Sequence, residues 1–224
     1  MPVLDPHATT VTISAGRAVL YGHLHVPPQA QGLVLFAHGT GSSRHSPRNQ
    51  RVAGFLHDVS LATLLFDLLA PAEEPEHTYN GRLRFDIDLL AQRLRQATRW
   101  ARERPETSEL LVGYFGASTG AAAALQAAAL EGAGIAAVVS RGGRTDLAPG
   151  ALLKITAPTM LISGGNDEAL SALNLEAWAR LRCEKAIEII PGAGHWFEEP
   201  GALDNVAALA TRWFGEHLRR NGAI

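Results

Sequence analysis

At 224 residues the chain is long enough to bury one hydrophobic core and short for two, so we predict a single domain over residues 1–224. A hydrophobic content of 46% and a net charge of −2 are typical of a globular protein, and they indicate neither a nucleic-acid nor a membrane partner. The single cysteine, Cys183, excludes an intrachain disulfide and a cysteine-based zinc site. The first residues lack a signal-peptide pattern, and no apolar run reaches the roughly 18 residues of a membrane span. We therefore expect a cytoplasmic location.

Buried strands alternate with amphipathic helices along the chain. Short apolar runs predict eight strands, at residues 11–14, 18–26, 33–37, 61–69, 110–115, 135–139, 159–162 and 186–190. Apolar residues three or four apart predict five helices, at 46–59, 83–104, 121–130, 170–182 and 203–220, with Cys183 continuing the fourth as a packing residue. A polar segment at 71–80 predicts a loop. This order is typical of an α/β fold with a mostly parallel central sheet, helices on both faces, and an antiparallel hairpin at one edge.

The clearest chemical motif is GASTG at residues 116–120, between the strand at 110–115 and an alanine-rich helix. A strand, a sharp turn and a helix are the setting in which a G-x-S-x-G serine acts as a nucleophile. The glycines leave room for the turn, and the helix N-terminus offers free N–H groups to a developing oxyanion. We predict Ser118 as the nucleophile and the N–H of Thr119 as an oxyanion donor. The structural alternative is that Ser118 caps the helix.

A second small turn, FAHGTGSS at residues 36–43, ends the third predicted strand. Its glycines free backbone N–H groups, and we predict that the N–H of Thr40 completes the oxyanion hole with Thr119. A phosphate-binding loop is the rival interpretation, but no Lys-Ser/Thr pair follows and the G-x-G-x-x-G spacing is absent. His38 is interpreted as a hydrogen-bonded structural residue.

An acid is expected at the rim where parallel strands end. Asp167 follows the strand at 159–162, in SGGNDE, and is predicted as the triad acid, although it could also cap the next helix. Glu168 and Asp146 are its competitors, since Asp146 follows the strand at 135–139.

The general base is predicted to be His195, in the glycine-rich loop PGAGHWFE after the last strand. The chain order Ser…Asp…His is the one this kind of fold uses. His23 and His25 lie two apart on one strand, but no third ligand accompanies them, so they are interpreted as exposed strand residues and no metal site is predicted.

At these positions the chain resembles the α/β-hydrolase superfamily over nearly its whole length. It is most similar to the small dienelactone-hydrolase-like branch, through HGTGSSRHSPRN, LLFDLL and GASTGAAAAL. Similar chains also occur fused to phosphoribosyltransferase domains, and these 224 residues contain no such domain. Dienelactone hydrolases proper use a cysteine nucleophile, whereas the turn at residues 116–120 of this chain carries Ser118. The resemblance therefore implies ester and thioester substrates as much as lactones.

The predicted activity is hydrolysis of a small-molecule acyl substrate through an acyl-enzyme, with no metal or cofactor. Only residues 140–158 separate two strands where a lid commonly inserts, so we predict no lid domain and an open site. Six residues near the rim are candidate walls: His45, Arg48, Arg141, Arg144, Trp196 and Phe197. Two of them, Arg141 and Arg144, could attract an anionic substrate or could be solvated loop charges.

Two alternatives remain open at this point. The same triad could serve an acyltransferase or a perhydrolase, which differ only in the nucleophile that resolves the acyl-enzyme. The fold could also serve as a non-catalytic binding or regulatory module, although such a module does not need all three triad residue types together.

Overall fold

The computed structural model describes residues 8–73 and 81–219, which form one eight-stranded sheet with helices on both faces. The strands are β1 (Thr9–Ala15), β2 (Ala18–His25), β3 (Gly32–Ala37), β4 (Leu61–Phe66), β5 (Leu111–Ala117), β6 (Ala137–Arg141), β7 (Thr159–Gly164) and β8 (Lys185–Ile190). They lie in the order β1-β2-β4-β3-β5-β6-β7-β8. The β1–β2 hairpin and the β2–β4 pair are antiparallel, and every later pair is parallel. The predicted fold class and the edge hairpin are confirmed.

Five helices cover the sheet: α1 (Pro47–His57), α2 (Ile87–Arg102), α3 (Thr119–Glu131), α4 (Glu168–Arg180) and α5 (Ala202–His217). Helices α1 and α5 pack on one face, where Leu56 and Phe214 meet Phe36 and Phe115 of the sheet. Helices α2, α3 and α4 cover the other face. None of the helices in the described ranges combines the length and the hydropathy that crossing a bilayer requires.

Several boundaries differ from the predicted ones because side chains intervene. Strand β4 ends at Phe66 rather than at residue 69, since Asp67 turns to accept a hydrogen bond from the Arg44 N–H and the Leu68 N–H donates to His38. Helix α2 begins at Ile87 rather than at residue 83, because the Asp86 carboxylate caps it at the Leu89 N–H, 3.0 Å away.

Two other predictions concern Cys183 and the loop at residues 71–80. Cys183 lies beyond α4, which ends at Arg180, and is therefore not helical. Of the loop predicted at 71–80, residues 71–73 form a short 3₁₀ turn and residues 74–80 lie outside the described residues, as does Arg220.

Helix α3 packs its backbone directly against the sheet. Its side chains from Ala121 to Ala124 are completely buried, and alanine is small enough to let the helix backbone approach β3 and β5. The first two turns of the helix, residues 119–125, are buried on every side. Its N-terminus is thereby held at the rim where the parallel strands end.

The parallel register carries the ends of the six strands from β3 to β8 to that same rim. Ala37 at the end of β3 pairs with Gly116 of β5, and Ala117 pairs with Arg141 at the end of β6. The loops after β7 and β8 follow at the same level, since Gly164 pairs with Ile190. Ligand sites of open α/β sheets form at this edge.

Replacing Phe214 should destabilise the fold most on the α1/α5 face. Its ring fills the space over Gly113, where a Cβ atom would lie 2.7 Å from the ring. Phe214→Ala should lower the free energy of unfolding by about 3–5 kcal/mol, since it leaves a cavity in a fully buried layer. Urea unfolding measures this, with Leu130→Ala as a control: that side chain is 55% exposed and its loss should cost about 0.5 kcal/mol or less. Similar losses for the two variants would contradict this account of the core.

Candidate active site

Ser118 occupies a strained turn between β5 and α3. Its φ of 52° and ψ of −120° lie in a region that side chains rarely adopt. The backbone is fixed from both sides: the Ser118 N–H donates to the Arg141 carbonyl at 3.1 Å, and the Ser118 carbonyl accepts from the N–H groups of Ala121 and Arg144, each at 3.1 Å. Ser118 occupies the N-cap position of α3, but its side chain makes no capping hydrogen bond to that helix.

The two glycines that flank this turn are required by space. A Cβ atom at Gly116 would lie 2.4 Å from the Ala121 Cα atom, and one at Gly120 would lie 2.1 Å from the Ala37 carbonyl oxygen. Real Cβ atoms do not approach backbone so closely. The steric reason predicted for the glycines of the motif is confirmed.

His195 and Asp167 meet across the ends of β7 and β8. The Asp167 Oδ2 atom lies 3.0 Å from the His195 Nδ1 atom, while Oδ1 accepts from the Leu170 N–H at 3.4 Å. Asp167 therefore both faces the histidine and caps α4, which joins the two roles that the sequence left open. With Nδ1 turned to the carboxylate, Nε2 is the imidazole nitrogen left for a proton from another group.

The competing acids lie elsewhere. Asp146 forms a two-fold ion pair with Arg144, at 2.8 and 2.7 Å, and these hydrogen bonds hold the pKa of the Asp146 carboxyl below its ordinary value. Glu168 is the first residue of α4 and is exposed to solvent.

Two residues that the sequence analysis did not single out fix the acid and histidine loops together. Asn166 donates from its backbone N–H to the Ala193 carbonyl at 2.9 Å and from its side chain to the Gly192 carbonyl at 2.7 Å. The Glu199 carboxylate accepts from the Gly194 N–H at 2.9 Å. In the sequence, the only indication of their role is that both are polar residues close to a predicted catalytic residue.

Ser118 and His195 face one pocket on the rim, with a volume of about 360 Å³ that includes open solvent. It is lined by Gly39, Thr40, Ser42, Ser46, Arg48, Ala117, Ser118, Arg141, His195 and Trp196. Three of the six candidate wall residues, Arg48, Arg141 and Trp196, are therefore in place.

The other three candidate walls lie away from this pocket. The His45 ring packs against His23, with the ring centroids 5.2 Å apart, and Arg144 is paired with Asp146. Phe197 is 1% exposed, because its positive φ of 55° turns the ring into the core of the α1/α5 face.

The two predicted oxyanion donors differ in whether their backbone N–H groups already have an acceptor. Thr119 is the first residue of α3, so its N–H has no partner within its own helix. The Thr40 N–H instead donates to the Thr119 Oγ1 atom at 2.9 Å, and the two threonine hydroxyls lie 3.0 Å apart. The Thr40 N–H is thus engaged by a side chain rather than free, which the sequence analysis did not anticipate.

The other histidines considered as candidates, His23, His25 and His38, make contacts within the fold. The His38 Nε2 atom accepts from the Leu68 N–H at 3.0 Å, which confirms a hydrogen-bonded structural role. His23 and His25 are half-buried rather than exposed, and the His25 ring stacks on His57 at 3.8 Å. In the described parts of the chain, no three His, Cys, Asp or Glu side chains are grouped as metal ligands.

Comparison with known proteins gives a consistent family. The model of the dienelactone hydrolase family matches residues 29–217. A crystal structure of a dienelactone hydrolase from Anabaena variabilis is 53% identical, with a TM-score of 0.92, over 96% of this chain and all of that one. A lidless serine hydrolase from Xanthomonas campestris shares the fold at 18% identity and a TM-score of 0.74, over 99% of this chain and all of that one.

A curated relative from Mycobacterium tuberculosis is 52% identical over 208 residues, and its name gives it provisionally as a phosphoribosyl transferase. The match covers 93% of this chain but only 46% of that protein. The chain thus spans about half the length of the curated relative.

Gly120→Ala tests the steric account of the turn. The new methyl group would collide with the carbonyl oxygens of Ala37 and His38, so the helix or the strand must move. We expect a loss of about 3 kcal/mol or more in the free energy of unfolding. Gly54→Ala is the control, since its Cβ atom would meet nothing within 4 Å inside α1, and it should be neutral or stabilising by up to about 1 kcal/mol. A Gly120→Ala protein as stable as the wild type in urea would refute the account.

Proposed function

Because the chain belongs to the dienelactone hydrolase family, we propose that it is a serine hydrolase acting on carboxylic esters, thioesters or lactones of small acyl substrates. The observation that carries the proposal is the arrangement at the rim. Asp167 lies 3.0 Å from the His195 ring, and the same histidine shares a pocket with Ser118 on its strained turn. A binding module would not need these three side chains together.

The reaction begins with attack of the Ser118 Oγ atom on the acyl carbonyl carbon. The serine proton passes to the free Nε2 atom of His195, and the Asp167 carboxylate stabilises the imidazolium that forms. Collapse of the tetrahedral intermediate expels the alcohol or thiol, which takes that proton from His195. The product is an ester of Ser118 with the acyl group.

Water completes the cycle by the reverse sequence of proton transfers. His195 removes a proton from water as the oxygen attacks the acyl-enzyme, and the Ser118 oxygen then leaves with the proton. Both tetrahedral intermediates place negative charge on the former carbonyl oxygen. The Thr119 N–H at the start of α3 donates to that oxygen, and the Thr40 N–H joins it by sharing or releasing its bond to the Thr119 side chain.

Substrate size follows from the surroundings of the pocket. The segment between β6 and β7, residues 142–158, consists of turns that pack close to α3 and α4 and provides no lid. The pocket therefore stays open to solvent and suits small or surface-presented acyl groups. Transfer of the acyl group to another nucleophile would use the same steps up to the acyl-enzyme, and no observation favours it.

A fluorophosphonate probe should label Ser118 and no other residue, since this hydroxyl has a base and an oxyanion site to stabilise the adduct. Intact-protein mass spectrometry should show one adduct in the wild type and none in Ser118→Ala. Ser42→Ala is the matched control, because that serine lines the same pocket, and it should still be labelled. Labelling that persists in Ser118→Ala would refute the assigned nucleophile.

Asp167→Asn should lower kcat by about 10³- to 10⁴-fold, because an amide cannot hold the imidazole in the required tautomer. Asp146→Asn should cost less than about 10-fold, since Asp146 is paired with Arg144 at a partly exposed site. Steady-state kinetics on a p-nitrophenyl ester would measure both. Each variant must first show wild-type circular dichroism, because Asp167 also caps α4 and its loss could cost about 1 kcal/mol. The opposite ranking of the two variants would move the acid to Asp146.

A further inference from the structure

Arg141 is a buried cation without a partner. It is the last residue of β6, it pairs in register with Ala117 beside the nucleophile, and it is 7% exposed. Its Nη1 atom is buried and makes no hydrogen bond, and within the described part of the chain its guanidinium forms no ion pair. Yet its side chain lines the pocket that holds Ser118 and His195.

Among the described residues, the other arginine that is buried to this degree has a carboxylate partner. Arg93 is buried to the same degree, and it donates to the Glu73 carboxylate at 2.7 Å and to the Ala15 carbonyl. Removing a charge from water without a partner is strongly unfavourable, so a buried cation that has none calls for an external ligand. Burial, and secondarily the charge of Arg48, lowers the pKa of Arg141 to about 10. The group is therefore still protonated at neutral pH.

The rest of the pocket offers Arg141 no negative partner. Its described lining contains two arginines and no carboxylate. Arg48 is balanced on the solvent side by Glu198 at 2.9 Å, and its guanidinium lies over the Trp196 ring at 4.8 Å. Helix α1, eleven residues long, begins at Pro47, directly after its capping residue Ser46 in the pocket lining, so the positive end of its dipole lies there as well. With Arg48 balanced by Glu198, Arg141 supplies one uncompensated positive charge.

Strand alternation determines where this charge lies. The Ser140 hydroxyl faces Gly143 and Ala121 on the α3 side of the sheet. The next side chain, Arg141, therefore points to the α1 side, where Ser46 and Arg48 line the same pocket. Because Arg141 is buried while Arg48 is only half-buried, Arg141 forms the inner end, or floor, of the pocket. The oxyanion donor Thr119 begins α3, on the other face of the sheet. The two positive sites are separate.

From these observations we infer that Arg141 forms an anion-binding subsite, which takes an anionic oxygen group of the acyl substrate. A carboxylate or a phosphate ester would each supply this chemistry. The inference rests on the proposed function for the reacting carbonyl, but the binding of the anion does not depend on catalysis. The anionic group lies on the floor of the pocket while the ester carbonyl reaches Ser118.

Matched esters test the preference. The p-nitrophenyl monoester of succinate carries a free carboxylate, and its methyl ester is the neutral counterpart. In Arg141→Met, the ratio of kcat/KM for the anionic ester to that for the neutral ester should fall about 10- to 100-fold, the usual effect of losing a charge-assisted hydrogen bond. Arg141→Lys should restore part of the ratio. Arg51→Gln, which removes an exposed arginine of α1 paired with Asp204, should leave the ratio unchanged.

Binding without turnover separates this inference from the proposed function. Isothermal titration calorimetry should show that Ser118→Ala binds succinate monomethyl ester or inorganic phosphate. The double variant Ser118→Ala/Arg141→Met should bind neither ligand. The ligand that binds to Ser118→Ala identifies the class of anion.

Arg141→Met should also melt at the wild-type temperature or above, because the substitution removes an unpaired buried charge. If Arg141 had a structural role instead, its loss would lower the melting temperature. An unchanged ester ratio, or anion binding that survives the loss of Arg141, would overturn the subsite. Anion binding that depends on Arg141 in a protein that hydrolyses no ester would instead refute the proposed function alone.

Discussion

The close contact between helix α3 and strands β3 and β5 is the constraint on which the site depends. Alanines from 121 to 124 and the glycines at 116 and 120 bring helix backbone against strand backbone, with no space for a Cβ atom between Gly120 and the Ala37 carbonyl. The chain can make this turn only by holding Ser118 at a positive φ. The strained residue is therefore a consequence of the packing, and the packing fixes the serine at the rim where the strands end.

The end of β6 links this turn to the rest of the pocket. The Arg141 carbonyl accepts the Ser118 N–H, and the N–H of Arg144 donates to the Ser118 carbonyl. The backbone that holds the nucleophile is thus the same backbone that carries the Arg141 side chain. A substrate group bound by Arg141 is placed relative to Ser118 by one direct hydrogen bond of 3.1 Å rather than through a chain of loops. Such short connections make a site precise.

The spacing of apolar residues predicted the eight strands and the five helices. The strand ends, together with the chain order Ser…Asp…His, predicted the meeting of Asp167 with His195. The sequence could not show which way loop side chains turn. Phe197 reads as a wall, yet a positive φ directs its ring into the core. Arg141 and Arg144 look equivalent in SRGGR, but one ends a strand and is buried, while the other leaves the sheet and finds Asp146. The bond from Thr40 to Thr119 joins residues 79 positions apart, which no local pattern encodes.

In an open site, exposed charges bind an anion only weakly. The partly exposed Arg48 and the buried Arg141 therefore contribute differently to anion binding. At the rim, water and salt weaken an interaction to about 1 kcal/mol, so Arg48, which is partly exposed and already paired with Glu198, adds little to the binding of an anion. On the floor, the lower local dielectric makes the field of Arg141 several times stronger. A fold without a lid has no means of excluding water after the substrate binds. It can hold a strong charge only by burying that charge in advance, beneath the place that the substrate will occupy, and leaving it unpaired until the substrate arrives.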